Sequence, residues 1–198
     1  MRQVILASAS AVRLALLEQA GVPVVAEAAA IDEPALKSAM DAEGVPAEAC
    51  AARLAELKAM RISLRHPGVL VIGADQLLDC GGKRFDKPAD LDAARDHLRA
   101  LRGREHRLVT AAVAVSGGRR LWHVVTTATL SMRLFSDDFL QTYLELAGPG
   151  ILDSVGAYRL EGMGVQLFDR IDGDYFTVLG LPLVPVLDFL RGQGVLRT

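Results

Sequence analysis

Val69-Leu70-Val71-Ile72-Gly73-Ala74-Asp75 (residues 69–75) is the stretch that decides the fold. The residues before the aspartate carry no charge, and such a continuous apolar run is typical of a strand that is covered on both faces. Strands of this kind belong to sheets with helices packed against them, so the run predicts an α/β fold. It also predicts that the strand ends at Asp75, which places a carboxylate at its carboxyl end.

Strand-like and helix-like segments alternate along the rest of the chain. Strands are predicted over residues 4–7, 22–28, 108–115, 121–134 and 165–168. Helices are predicted to begin after Ser10, Pro34, Pro46, Asp90, Ser136 and Pro182. This order predicts a mixed α/β sheet to which residues 108–134 add a hairpin turning at Gly117-Gly118. No repeat or linker divides residues 1–198, so we expect one domain with at most two lobes.

Composition and charge exclude several classes of protein. The chain has 198 residues and a net charge of −2, so no positive field draws it to a nucleic acid polymer. No apolar run reaches the roughly 20 residues that a membrane-spanning helix needs, and the start is too briefly apolar for a signal peptide. Two cysteines are too few for a disulfide framework. We therefore expect a cytoplasmic protein with no membrane or nucleic acid partner.

Charged and hydroxyl side chains gather where predicted strands end or helices begin. In open α/β sheets, ligands bind beyond the carboxyl ends of strands, where helix N-termini expose unpaired N–H groups. Two carboxylates and several cations at such places match the needs of a nucleoside triphosphate, because carboxylates hold Mg²⁺ or Mn²⁺ while Lys and Arg hold phosphate oxygens. The clusters are Ser8/Ser10/Arg13, Asp32/Glu33, Asp75/Gln76 and Asp86/Lys87.

Each of these residues also has an ordinary structural explanation. Ser10 is equally well explained as a helix N-cap, and Glu33 as a first-turn charge that favours the helix dipole. Lys87 is typical of a solvated loop, and Lys58 of a helix side chain that extends its ammonium group to water. Asp75 is the strongest candidate, because a carboxylate directly after an apolar strand is costly unless a cation or metal meets it; its structural alternative is a turn-forming Asp.

Eight short blocks follow one another along the chain: Ile5-Leu6-Ala7-Ser8-Ala9-Ser10-x-x-Arg13-x-x-Leu16-Leu17, Ile31-Asp32-Glu33, Leu54-Ala55-x-x-Lys58-Ala59, Ile72-Gly73-Ala74-Asp75, Asp86-Lys87-Pro88, Gly103-Arg104, Gly156-Ala157-Tyr158 and Gly173-Asp174-Tyr175-Phe176-x-Val178-x-Gly180-Leu181-Pro182. Together these blocks resemble the Maf-type nucleoside triphosphate pyrophosphatases. One block alone is weak, but eight in register are hard to obtain by chance, and they run almost from end to end of the chain.

The resemblance implies both a fold and an activity. The fold is a two-lobed α/β fold of the inosine-triphosphatase (Maf/Ham1) type, with a twisted mixed sheet, flanking helices and a cleft between the lobes for the nucleotide. The activity is that of a hydrolase acting on acid anhydrides, which cuts a nucleoside triphosphate between the α- and β-phosphates to give a monophosphate and pyrophosphate. A divalent metal cation, Mg²⁺ or Mn²⁺, is implied as the cofactor.

The resemblance also implies roles for the residues that match its blocks. Asp75 matches the catalytic proton acceptor and is also expected as a metal ligand. Glu33 matches an acid that helps to bind the metal. The residues that match phosphate binders are Ser8, Arg13, Lys58 and Lys87.

Three positions that the family associates with substrate choice are Val12, Gln76 and Glu161. Gln76 and Glu161 are similar to the branch that acts on 7-methyl-GTP, and Arg159 resembles a basic residue found shortly before that acid. A carboxylate accepts the neighbouring N1–H and N2–H₂ donors of guanine together, and the positive charge of the N7-methylated base favours it further. Val12 departs from this branch, which usually has Trp there to stack on the base. The resemblance predicts 7-methyl-GTP as substrate, with dTTP, UTP or another modified nucleotide as the alternative.

A different class of function is a nucleotide-binding regulator of septum formation without turnover. The acids and cations Glu33, Asp75, Lys58 and Lys87 are all present, and an inert binder has little need for both kinds of side chain. Edge strands and amphipathic helices occur in monomers and dimers alike, so the sequence leaves open whether the protein is a homodimer.

Overall fold

Seven strands form one mixed sheet in the computed structural model, which describes residues 3–197. The strands are β1 (Val4–Ala7), β2 (Val24–Ala26), β3 (Leu70–Cys80), β4 (Lys83–Phe85), β5 (Glu105–Ser116), β6 (Arg119–Met132) and β7 (Phe168–Asp172). Their order is β2-β1-β3-β5-β6-β7, with β4 paired to β3 off this path. β1 is parallel to β2 and β3, whereas β4 is antiparallel to β3 and β7 to β6. The predicted mixed α/β sheet is confirmed.

Helices connect most of these strands. They are α1 (Ala11–Gln19), α2 (Glu33–Ala42), α3 (Ala47–Ser63), α4 (Leu91–Leu101), α5 (Asp137–Ala147), α6 (Tyr175–Val178) and α7 (Leu183–Gly192), with 3₁₀ helices at Gly148–Asp153 and Met163–Leu167. The predicted caps Ser10, Asp90 and Ser136 each accept a hydrogen bond from a backbone N–H in the first turn. Among the helices of residues 3–197, none has the length and apolar character needed to span a membrane.

The chain divides into two compact units, of which the first holds the chain up to Gln76, Thr110–Thr126 and the chain from Tyr175 onwards. Its core is formed by buried apolar side chains of β1, α1, β3 and α7, among them Leu6, Leu17, Ile72 and Leu190. Trp122 stacks on Phe189 with the ring centroids 5.0 Å apart.

The second unit holds Leu77–Val109 and Thr127–Asp174. Its fully buried side chains include Leu98, Leu130 and Tyr143. His106 is also buried there, with Nε2 2.8 Å from the hydroxyl of Tyr158. Burial disfavours the charged imidazolium and lowers the pKa of His106 to about 4.

The strands predicted over residues 22–28 and 165–168 differ from those in the structure. β2 covers Val24–Ala26 instead of residues 22–28, because it lies at the edge of the sheet and, among residues 3–197, pairs with three residues of β1. The strand predicted over residues 165–168 is wrong: this segment belongs to a 3₁₀ helix, and β7 begins at Phe168. The buried residues of the 3₁₀ helix are Gly164 and Leu167, and this spacing of three is that of a 3₁₀ turn rather than a strand.

Candidate active site

Asp75 lies inside β3 and not at its end, because the strand continues to Cys80. The prediction of a strand end at Asp75 is therefore wrong, since Leu77 and Leu78 beyond it are buried and keep the strand covered. Pairing with β1 stops at Gly73, so Asp75 is nevertheless placed just beyond the carboxyl end of β1. The carboxylate is only 4% exposed, and a charge buried to this degree requires a compensating partner.

Lys58 on α3 supplies the compensating charge. It is 7% exposed, and its Nζ lies 2.6 Å from Oδ1 of Asp75. The helix approaches β3 closely at Gly73, where a Cβ would overlap the carbonyl oxygen of Ala55 and lie 2.9 Å from Cβ of Ala59. Because side chains alternate along a strand, Gly73 and Asp75 share the face that α3 covers. The missing side chain of Gly73 thus lets α3 lie near enough for Lys58 to reach Asp75.

Glu33 completes this group, which we call the carboxylate–lysine cluster (Glu33, Lys58 and Asp75). It is the first residue of α2, and its Oε1 lies 2.9 Å from Nζ of Lys58. Asp32 starts the helix by accepting a hydrogen bond from the backbone N–H of Ala35 at 3.1 Å, which fixes the place of Glu33. Since both carboxylates contact one ammonium group, the structure brings them close together.

Two members of the cluster are carboxylates, the type of ligand that hard divalent cations prefer. Oδ2 of Asp75 is buried and has no hydrogen-bond partner within the part of the chain that the structure describes. In residues 3–197 no group of three or more His, Cys, Asp or Glu side chains is arranged to hold a metal. Mg²⁺ is, however, commonly held by one or two carboxylates and completes its shell with water and substrate phosphate. Glu33 and Asp75 fit that requirement.

Ser8 and Arg13 form a second polar group at the start of α1. Nη1 of Arg13 donates to Oγ of Ser8 at 3.2 Å and to the carbonyl of Ala74 at 3.0 Å, while Nε donates to the carbonyl of Gly180 at 2.6 Å. Burial lowers the pKa of the Arg13 guanidinium, and the two carboxylates of the cluster oppose this effect. The guanidinium is thus fixed by backbone oxygens near two acids.

Ser10 has the ordinary role that the sequence left open for it. Its Oγ accepts the backbone N–H of Arg13 at 3.4 Å, and its own backbone N–H donates to Oγ of Ser8 at 3.2 Å. Ser10 is therefore the N-cap of α1, and Ser8 is the hydroxyl that contacts the guanidinium.

Four predicted site residues remain, Val12, Gln76, Lys87 and Glu161. Gln76 follows Asp75 on β3, so its side chain belongs to the opposite face, where its amide nitrogen donates to Thr110 at 2.9 Å. Val12 is half-buried on α1 and packs against the core of the first unit. Lys87 and Glu161 are exposed residues of the second unit. Within the first unit, the structure therefore brings together the acids, Lys58 and Arg13.

Sequence reasoning missed Thr110 and Gly180. Thr110 lies in an apolar strand, and no local pattern distinguishes a hydrogen-bonding threonine from one that only fills space. Gly180 belongs to the block 173–182, so the resemblance marked its position without giving it a role. Its carbonyl contacts Arg13, which lies far away in sequence.

The whole set of blocks has a counterpart in a known family. Residues 3–193 match the family described as Maf-like protein. The chain belongs to the Maf family. The match contains every residue of the carboxylate–lysine cluster and both residues of the Ser8–Arg13 group.

Curated relatives of this Maf family protein carry two kinds of name. A "Nucleoside triphosphate pyrophosphatase" of Granulibacter bethesdensis is 56% identical, over 98% of this chain and 98% of the relative. A "7-methyl-GTP pyrophosphatase" of Mesorhizobium japonicum is 48% identical, also over 98% of both chains. Both similarities extend over the full length of the Maf domain.

Solved structures include a more distant likeness. A nucleoside-triphosphatase (dITP/XTP pyrophosphatase) of Mycobacterium abscessus has 17% sequence identity and a TM-score of 0.43, over 98% of this chain and 95% of that chain. Its sequence is much less similar to the Maf family protein than the curated relatives are.

Proposed function

We propose that this Maf family protein hydrolyses nucleoside triphosphates between the α- and β-phosphates, releasing a monophosphate and pyrophosphate. The observation that carries the proposal is the contact of Lys58 with both Asp75 and Glu33, beside an Asp75 oxygen that has no partner among the described residues. Buried charge of this kind costs folding stability and is typical of a functional site. The name of the relative from Granulibacter bethesdensis supports the same reaction.

Asp75 is the proposed base. Lys58 bonds its Oδ1 and balances the buried negative charge, which leaves Oδ2 to orient a water molecule and to accept its proton. The water oxygen then bonds to the α-phosphorus, and the bond between that phosphorus and the oxygen bridging to the β-phosphate breaks. Pyrophosphate leaves with the bridging oxygen. The carboxylate thus accepts the one proton that the reaction releases from the attacking water.

The remaining charged residues bind the triphosphate in this proposal. Arg13 and Ser8 contact phosphate oxygens at the start of α1, and Lys87 adds a further cation. Glu33 and Asp75 would hold Mg²⁺ or Mn²⁺. Such an ion would supply positive charge beside the phosphates.

Pyrophosphate release tests this function directly. The purified protein is expected to release pyrophosphate from nucleoside triphosphates with Mg²⁺ or Mn²⁺ and to lose this activity in a chelator. Asp75→Asn should lower kcat by about a thousandfold while it retains the circular dichroism spectrum of the wild type, because the amide keeps the shape but cannot accept the proton. Nucleotide binding without pyrophosphate release under either metal would instead favour the non-catalytic regulator and refute the enzyme.

We infer that the preferred substrate is 7-methyl-GTP. Gln76 and Glu161 support this preference, and a relative at 48% identity carries that substrate in its name. Val12 offers no aromatic face to a cationic base, so hydrogen bonding and charge must supply the discrimination. We expect kcat/KM for 7-methyl-GTP to exceed those for GTP, dTTP and UTP; a highest value for dTTP or UTP would overturn the preference and leave the reaction class intact.

A further inference from the structure

The amide nitrogen of Gln76 is fully engaged by the protein. Its two N–H groups are shared among three acceptors, which are Oγ1 of Thr110 at 2.9 Å and the backbone carbonyls of Thr177 at 2.9 Å and Val178 at 3.1 Å. A primary amide has two N–H donors on nitrogen and acceptor sites only on oxygen. Carbonyl oxygens cannot donate, so the two backbone contacts already require the nitrogen end of Gln76 to lie on this side.

Thr110 enforces the same orientation through its hydroxyl. The residue is 0% exposed, and its Oγ1 donates its single proton to the carbonyl of Thr177 at 3.0 Å. With that proton committed, the hydroxyl can only accept from Gln76. If the amide oxygen lay in this position instead of the nitrogen, two buried acceptors would face each other, which is costly in free energy.

The carbonyl oxygen of Gln76 therefore lies on the other side of the amide, beside Gly180. A Cβ built on Gly180 would lie 3.6 Å from Oε1 of Gln76 and 3.3 Å from Nε of Arg13. The absence of a side chain at Gly180 thus leaves space between an amide oxygen and a fixed guanidinium. That space adjoins the group to which we assign phosphate binding.

We propose that Thr110 is a positioning residue for base selection, which holds Gln76 so that its carbonyl oxygen, and not its nitrogen, faces the nucleotide. The inference rests on the proposed function. An exposed acceptor selects bases whose ring nitrogen carries a hydrogen, as N1 of guanine and N3 of uracil do. It disfavours bases whose corresponding ring nitrogen is an acceptor, as N1 of adenine and N3 of cytosine are.

Four variants test this role through ratios of kcat/KM, for GTP over ATP and for UTP over CTP. The wild type is expected to have both ratios above one. Thr110→Val removes the hydroxyl and should lower both ratios by about tenfold, the value of one hydrogen bond, with little change in kcat for GTP. Thr110→Ser keeps the hydroxyl and should restore the ratios. If Thr110→Val does not fold, Thr110→Ala gives the same comparison.

Thr126→Val is the matched control. Thr126 accepts from the hydroxyl of Thr177 at 2.9 Å and donates to the backbone carbonyl of Thr110 at 3.5 Å, whereas the hydrogen bonds of the Gln76 amide nitrogen go to other groups of the described chain. The control should keep the wild-type ratios. Unchanged ratios in Thr110→Val, equal losses in Thr110→Val and Thr126→Val, or a wild type that prefers ATP and CTP would each overturn the proposal.

A second measurement separates this inference from the proposed function. Absence of turnover with every nucleotide would refute the enzyme, but it would not affect the orientation of Gln76. In ¹⁵N-labelled protein, the side-chain amide protons of Gln76 should exchange slowly with solvent in the wild type and Thr126→Val, and faster in Thr110→Val. Rapid exchange in the wild type would show that Thr110 does not hold the amide.

Discussion

Nζ of Lys58 lies 2.6 Å from Oδ1 of Asp75, and both residues are buried in the first unit. The same nitrogen contacts Glu33 at 2.9 Å, so one lysine holds two carboxylates. These residues come from α3, β3 and α2, and their meeting point is the centre of the proposed site.

Removing the charge of Lys58 should destabilise the protein in a way that a divalent cation repairs. Lys58→Met leaves two close carboxylates without their counter-charge, and we expect a loss of about 3 kcal/mol in the free energy of unfolding. Millimolar Mn²⁺ should recover part of this loss, because the proposal expects the ion to bind the folded state between the acids. Thermal unfolding in chelator and in Mn²⁺ measures both effects. The exposed Lys83→Met serves as control, and an equal Mn²⁺ shift in all three proteins would contradict the expectation.

Gly73 should tolerate no side chain. Gly73→Ala places a Cβ against the carbonyl of Ala55, so α3 must move away from β3. We expect a loss of about 2 kcal/mol in stability and a fall in turnover as Lys58 moves away from Asp75. Gly192→Ala is the control, because nothing lies within 4 Å of its Cβ and the helix end accepts alanine. Chemical denaturation and pyrophosphate release compare the two; equal behaviour would show that the close approach is unimportant.

The stability of the protein should depend on pH through His106. Burial lowers its pKa from the ordinary 6.5 to about 4, so between these values the unfolded chain binds a proton that the folded chain does not. Stability therefore falls as the pH drops from about 6.5 to 4, and this one residue accounts for about 3 kcal/mol. His106→Gln should flatten the dependence relative to the wild type, whereas the exposed His123→Gln should not. Denaturant unfolding at a series of pH values measures it, and parallel curves for wild type and His106→Gln would contradict the assignment.

Glu161 should determine the response to the methyl group of 7-methyl-GTP. Glu161→Gln removes the negative charge and keeps the size, so kcat/KM for 7-methyl-GTP should fall by about tenfold or more, and that for UTP should change little. Steady-state kinetics with both nucleotides provide the ratio. Glu145→Gln changes an exposed acid elsewhere in the second unit and should leave the ratio unchanged. A similar loss for both substrates in Glu161→Gln would remove Glu161 from base selection.

Local sequence patterns predicted most elements because they arise from contacts within each segment. The caps Ser10, Asp90 and Ser136 bond the first turn of their own helices, and Gly117-Gly118 joins neighbouring strands. The same reasoning predicted a strand wrongly at residues 165–168, since their apolar content does not distinguish a short strand from a 3₁₀ turn. In the structure the buried residues of this segment are Gly164 and Leu167, and their spacing of three is that of a 3₁₀ turn.

The residues of the site could be named from the sequence, but their contacts could not. Glu33, Lys58 and Asp75 occur in matched blocks, yet nothing local indicates that one ammonium group binds both acids. Asp75 illustrates the reason: its charge predicted a strand end, whereas its partner on α3 allows the strand to continue. Whether a buried charge is tolerated depends on the compensating partner that another segment of the chain supplies.

By itself, the sequence determined the α/β class, the family and the set of acids and cations, because hydrophobic periodicity and motif spacing are properties of adjacent residues. Only the tertiary structure decided that Gly73 admits α3, that Lys58 joins Glu33 to Asp75, and that Thr110 accepts a hydrogen bond from Gln76. Those contacts join residues distant in sequence, and their existence depends on how closely packed elements approach one another.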